Sequence, residues 1–148
     1  MTDGLGTLLI ERSIAHAHAL YAEALDSRQW HLLDQIFAPE CIARYGDGPE
    51  LSSRTHIIAA IRSYLDPCGP TQHLIGNLIV DQAEGDFISR AQIRAAHKAR
   101  TGDALFWSLG AYHARWRQQD SQLQAVEWQM AIAFNSGDKT VFDPCAEC

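Results

Sequence analysis

No cluster of basic residues in this chain is dense enough to follow a phosphate backbone: 18 acidic side chains outweigh 12 basic ones, for a net charge of −6. That balance argues against nucleic acid and against an anionic membrane surface as partners. Long apolar runs are missing too. Nothing approaches the roughly 20 residues of a membrane span, and the first residues lack the basic-then-apolar order of a secretion signal, so a cytoplasmic protein is expected. Cysteine is scarce: Cys41, Cys68, Cys145 and Cys148 are too few and too scattered for a disulfide framework and are expected as free thiols. Cys145-Ala146-Glu147-Cys148 has the spacing of half a zinc site or a redox pair. No second Cys or His pair accompanies it, and it does not open a helix. There is no internal repeat and no low-complexity segment. What remains, 148 residues of which 47% are hydrophobic, suits one domain, 1–148, around one core.

The apolar period changes halfway along. From residue 5 to about 26, Ile10, Ile14, Ala17, Tyr21 and Ala24 or Leu25 recur at steps of three and four, which predicts a helix closed by Asp26. Trp30, Leu33, Ile36 and Phe37 predict a second, short helix ending at Ala38-Pro39. Cys41 to Tyr45 is a short strand candidate, stopped by Gly46-Asp47-Gly48-Pro49. Ser52 or Ser53 can cap a third helix carrying Ile57, Ile58, Ile61, Tyr64 and Leu65. Residues 71–83, 86–100, 104–118 and 122–135 then read as four strands separated by hairpin turns, hence antiparallel. The expected class is α+β, three N-terminal helices packed on one concave face of a curved antiparallel sheet.

Histidines mark the chemistry. In a strand over 71–80, alternation puts Thr71, His73, Ile75, Asn77 and Ile79 on one face and Leu74, Leu78 and Val80 on the other. In the next strand His97 shares a face with Ala91, Ile93, Ala95 and Ala99, small side chains that would leave room for a ligand or simply pack against the helices. One face of the third carries Phe106, Ser108, Gly110 and Tyr112; the other carries Trp107, Leu109, Ala111, His113 and Arg115. His16 and His18 lie on different faces of the first helix and are expected in solvent, with His31 on the second.

The order Leu25-Asp26-Ser27-Arg28-Gln29-Trp30, then Tyr45, then Thr71-Gln72-His73-Leu74-Ile75-Gly76, then Gln92-Ile93-Arg94-Ala95-Ala96-His97 resembles scytalone dehydratase, within the SnoaL-like, or nuclear-transport-factor-2-like, superfamily. The resemblance spans nearly the whole chain and implies a cone of antiparallel sheet closed by three N-terminal helices. It places His73 and His97 as acid–base histidines, Asp26 as their carboxylate partner and Tyr45 as the hydroxyl that polarises a carbonyl. Leu25 stands where the fungal enzyme has a second tyrosine, and Gly110 and Tyr112 replace a serine and an asparagine, Tyr112 being a candidate for the missing hydroxyl. The Asp26 and His73 positions also resemble the dyad of hexachlorocyclohexane dehydrochlorinase, which likewise begins with C–H deprotonation.

An imidazole titrates near neutral pH, and a carboxylate on its other nitrogen fixes the tautomer and stabilises the imidazolium, so these residue types suit proton abstraction next to a carbonyl. A tyrosine hydroxyl aimed at that carbonyl stabilises the developing enolate. The expected activity is a metal- and cofactor-free lyase expelling water from a small cyclic or aromatic hydroxy-carbonyl compound. Tyr112, Leu25, Ile75, Asn77, Phe106, Trp128, Met130 and Ile132 are its expected lining. An isomerase or cyclase could use the same dyad, and a non-catalytic binding or assembly module is the reading from another class. Two histidines and an aspartate could also form a metal triad, although their spacing does not require convergence. No Ser or Cys lies in a strained turn near a histidine, which disfavours nucleophilic catalysis. The apolar outward face of the third strand predicts a homo-oligomer, a trimer by the resemblance, a dimer as the alternative.

Overall fold

A computed structural model describes residues 4–144; the Cys145 to Cys148 pair lies outside the described residues. Helix α1 (Gly4–Asp26) buries Ile14, His18, Tyr21 and Leu25, one stripe at steps of four, three and four. That spacing puts His18 on the core side, so the expectation of a solvated imidazole is corrected: His18 is 3% exposed. The second helical stretch is a 3-10 turn over Trp30–Gln35. Strand β1 (Phe37–Tyr45) starts before the expected Cys41 and takes in Ala38 and Pro39. Its register breaks between Phe37 and Ile42, where a proline without an N–H is tolerated. Helix α2 (Arg54–Leu65) is capped by Ser53, whose hydroxyl accepts from His56 N at 3.1 Å.

The four long strands follow as expected: β2 (Thr71–Ala83), β3 (Asp86–Lys98), β4 (Leu105–Gln119) and β5 (Gln122–Gly137). Two-residue turns close the first and last hairpins, Glu84-Gly85 and Asp120-Ser121, each with both residues at positive φ. The sheet order is β1-β5-β4-β3-β2, with the long strands antiparallel. The sheet becomes mixed only at β1, which lies parallel to β5. Three helical segments cover one face, and the core of Tyr21, Leu25, Phe37, Ile57, Ile93, Tyr112, Trp116 and Trp128 lies between.

Two irregularities decide which side chains face that core. In β2 the register slips between Gly76 and Ile79, with Asn77 at φ +51°. Beyond the slip the faces exchange: Leu78 and Val80 turn inward while Asn77 and Ile79 are exposed. The expected alternation therefore holds for Thr71, His73 and Ile75 and fails from Asn77 onward. In β5 an extra residue lies between Ile132 and Phe134 opposite β4. There the Ala131 carbonyl comes so close to Gly110 that any Cβ would collide with it. Glycine at 110 is thus required by the backbone.

Candidate active site

Asp26 is the last residue of α1, and its carboxylate turns onto the start of β2. Oδ1 lies 2.7 Å from His73 Nδ1 and accepts from Thr71 Oγ1 at 2.9 Å, while Oδ2 accepts from the His73 backbone N–H at 2.9 Å. A carboxylate can only accept, so Nδ1 of His73 carries the proton and Nε2 carries the lone pair. Burial works to raise the Asp26 carboxyl, but the hydrogen bonds from His73 and Thr71 outweigh it and hold the group below its usual value. The His73 side chain is 6% exposed and that of Asp26 24%, so the pair is sheltered.

His97 pairs with Thr71 across β2 and β3, two residues along from His73. The two imidazoles stand perpendicular with ring centres 5.5 Å apart. Nδ1 of His97 donates to the Phe106 carbonyl at 3.2 Å, leaving its Nε2 as an acceptor. Burial first, then repulsion against a second proton on the neighbouring His73 pair, pushes His97 down to about 4. Phe142, from a 3-10 turn over Lys139–Phe142, covers the ring at 5.0 Å, with Phe106 at 6.1 Å.

Arg28, between α1 and the first 3-10 turn, holds the arrangement together. It lies at φ +60° just past α1 and donates to Leu25 O at 2.6 Å, Gly69 O at 2.8 Å and Thr71 Oγ1 at 2.9 Å. Thr71 thus accepts a hydrogen bond from a guanidinium and donates one to Asp26. A basic residue two places beyond a helix C-terminus was the available signal.

Tyr45 ends β1, its hydroxyl 2.9 Å from that of Tyr21 on α1. Tyr112, on β4, donates to the same Tyr21 hydroxyl at 3.5 Å. Tyr21 belongs to the buried stripe of α1, a spacing that by itself marks only a core position. Leu25 and Phe106 are buried, as are Trp128 and Met130 on the inner face of β5, and Ile75 packs against the same core. Asn77 does not join them. Its amide donates to Gln92 at 2.5 Å on the outward face, and Ile132 is 43% exposed. Cys41 and Cys68 are buried free thiols. Among the described residues no three His, Cys, Asp or Glu side chains are grouped so as to hold a metal ion, and no helix is long and apolar enough to cross a membrane.

Residues 6–130 match the model of the SnoaL-like domain. No protein with a curated description matches. Among solved structures, a provisionally named scytalone dehydratase of Novosphingobium aromaticivorans is 17% identical, with a TM-score of 0.81 over 96% of this chain and 97% of its own. A type 3 hexachlorocyclohexane dehydrochlorinase of Novosphingobium barchaimii is 10% identical, with a TM-score of 0.82 over 92% and 94%. A provisionally named dehydratase of the nuclear-transport-factor-2-like family from Streptomyces avermitilis is 11% identical, with a TM-score of 0.71 over 82% and 94%. At these identities the likeness establishes the fold.

Proposed function

The chain belongs to the SnoaL-like domain family, and on that premise we propose that it is a cofactor-independent lyase of the dehydratase type, acting on a small cyclic or aromatic hydroxy-carbonyl compound. The observation that carries the proposal is the Asp26–His73 pair at 2.7 Å, with every oxygen of the carboxylate engaged. His73 Nε2 takes the proton next to the carbonyl. Asp26 holds the tautomer that makes Nε2 basic and stabilises the imidazolium once it forms. Tyr45 donates to the carbonyl oxygen as negative charge develops there. That the solved relatives include proteins named as dehydratases and a dehydrochlorinase supports a lyase of this kind.

The geometry changes the division of labour between the histidines. At neutral pH His97 is uncharged, its one N–H given to Phe106, so it has no proton to offer a leaving hydroxyl. The His73 imidazolium returns the proton it has just taken, and departing water carries it off. His97 Nε2 accepts from the substrate hydroxyl and orients it. Proton and oxygen then leave from the face on which His73 lies.

The test is a panel of cyclic β-hydroxy ketones followed by the absorbance of the enone product. Wild type should convert at least one of them, and Asp26→Asn should lose about 10²–10⁴-fold in turnover. Its thermal midpoint should move only a few degrees, because one polar contact costs about 1 kcal/mol. Full turnover in Asp26→Asn, or its unfolding, would make the pair structural.

We also propose that copies of the chain associate through the outward face of the sheet, with a trimer favoured over a dimer. A groove of about 660 Å³ on this face is lined by Leu74, Leu109, Ala111 and Phe134. Leu74 and Phe134 are 68% and 57% exposed. Trp107 on the same face is half-buried, with Arg94 stacked on its ring at 5.4 Å. Light scattering at micromolar concentration that reads the 16.5 kDa monomer would remove this reading.

A further inference from the structure

Three phenol hydroxyls meet at the centre of the concave face, one from a helix and two from strands that are not neighbours in the sheet. Tyr21 on α1 lies 2.9 Å from Tyr45 on β1 and accepts from Tyr112 on β4 at 3.5 Å. Tyr21 and Tyr112 are 1% and 2% exposed, and their rings pack on Trp128 and Phe37. The contacts form a chain, not a ring: Tyr112 to Tyr21 to Tyr45.

Proton accounting follows from this shape. Three hydroxyls carry three protons, and two hydrogen bonds use two of them. Tyr112 gives its proton to Tyr21, so Tyr21 can give its own to Tyr45, and the proton of Tyr45 is the one left over. Hydrogen bonds in series polarise one another, most strongly in apolar surroundings, so this last hydroxyl is a better donor than an isolated phenol. Burial raises all three phenols well above their usual value, which keeps them protonated. A purely structural role would be met more simply by phenylalanine at 21 and 112, since replacing both partners of a buried hydrogen bond costs little.

The cluster shares the concave face with the base and lies further along it. Across the sheet, His73 is level with Ala95 and Ser108, and Tyr112 lies four residues further along β4, about 13 Å at about 3.3 Å per residue. The row of Ile75, Ile93 and Gly110 separates the two. Helix α1 supplies both ends, Tyr21 to the hydroxyls and Asp26 to the base.

We infer that Tyr21 is the positioning residue of a three-tyrosine oxyanion site, tying the hydroxyls of Tyr45 and Tyr112 into one chain whose left-over proton is offered to an enolate or phenolate oxygen. Only the link to turnover rests on the proposed elimination; the preference for an oxyanion is a binding property and stands apart from it.

The experiment uses 4-nitrophenol as the probe and 4-nitroanisole, which has the same ring and no ionisable oxygen, as its control. Affinities are measured on the full chain above the pKa of the free phenol. Wild type should bind 4-nitrophenolate more tightly than 4-nitroanisole. Tyr21→Phe should weaken the phenolate about threefold to tenfold and leave the anisole unchanged, the loss expected when the neutral hydrogen bond that aims and polarises Tyr45 is removed. Tyr45→Phe should lose more, because it removes the donor itself, and Tyr112→Phe less, because its contact is the longer one. Equal wild-type affinity for the two probes, or a parallel loss of both in Tyr21→Phe, overturns the inference. Should Tyr21→Phe fail to fold, Tyr112→Phe and the wild-type preference decide the matter by the same criteria. Asp26→Asn separates this reading from the catalytic one: phenolate preference kept with turnover unchanged sinks the dyad alone, and preference lost in Tyr21→Phe with turnover retained keeps the oxyanion site without a role in catalysis.

Discussion

His18 and His73 occupy opposite ends of the same concave face, and their surroundings could hardly differ more. Around His18 lie Trp116, Trp128 and Tyr112, at ring-centre distances of 5.7, 5.3 and 6.5 Å. One ring nitrogen meets Ser89 Oγ at 3.4 Å and the other has no partner. Burial alone pushes this imidazole down to about 4. Around His73 the neighbours are a carboxylate, a hydroxyl and, one step away, a guanidinium. Burial without a counter-charge produces an inert neutral ring, whereas burial beside an oriented carboxylate produces a base with a defined tautomer. His97 stands between the two, in contact with His73 but held neutral by its carbonyl partner and its aromatic cover.

The sharpest way to break this contrast is to remove each imidazole and compare what is lost. His73→Ala should lose about 10²–10⁴-fold in turnover on any converted hydroxy ketone. His97→Asn should lose about tenfold, as expected of a hydroxyl acceptor and not of a proton donor. Equal losses in the two would return His97 to the role of acid. At the other end the expected damage is to stability. His18→Ala leaves a cavity among three aromatic rings and should cost about 3 kcal/mol in urea unfolding. A change within 0.5 kcal/mol would mean that the ring is not packed as described.

Acid should expose the same contrast more gently. In the unfolded chain His18 and His97 each take up a proton near 6.5, but in the folded protein only near 4. The unfolded state therefore binds more protons between those values, and stability falls as pH drops from about 6.5 towards 4. At pH 5 the loss should be about 2 kcal/mol for each ring. The depressed Asp26 carboxyl acts in the same direction, its contribution being lost as pH falls through its folded value. Asp26 stays ionised in both states down to pH 5, so unfolding midpoints at pH 7 and pH 5 measure the two histidines, and His18→Phe should narrow the difference by roughly half. The smallest effect belongs to Asn77. Facing outward with its amide on Gln92, it should show no effect on turnover when replaced by alanine, while its backbone at φ +51°, which alanine adopts less readily, should cost about 1 kcal/mol of stability.

Period and punctuation determined most of the architecture: helices before strands, the extents of β2 to β5 within a few residues, and the tight turns that make them antiparallel. The family resemblance rested on short runs around Asp26, His73 and His97, and the structure brings those residues into one cluster. Three things were settled only in the tertiary structure. The exchange of faces after Gly76 followed from a bulge, and nothing in a run of Ile75, Leu78, Ile79 and Val80 says where an extra residue falls out of the pleat. The parallel pairing of β1 with β5 depends on contacts more than 80 residues apart along the chain. The partners of each imidazole came last of all. The stripe Ile14, His18, Tyr21, Leu25 was legible, and it would have put His18 inside, but whether a buried histidine meets a carboxylate, a carbonyl or an indole is decided by side chains that other elements deliver. Sequence fixes which groups can titrate; the fold fixes the dielectric and the neighbours that set where they do.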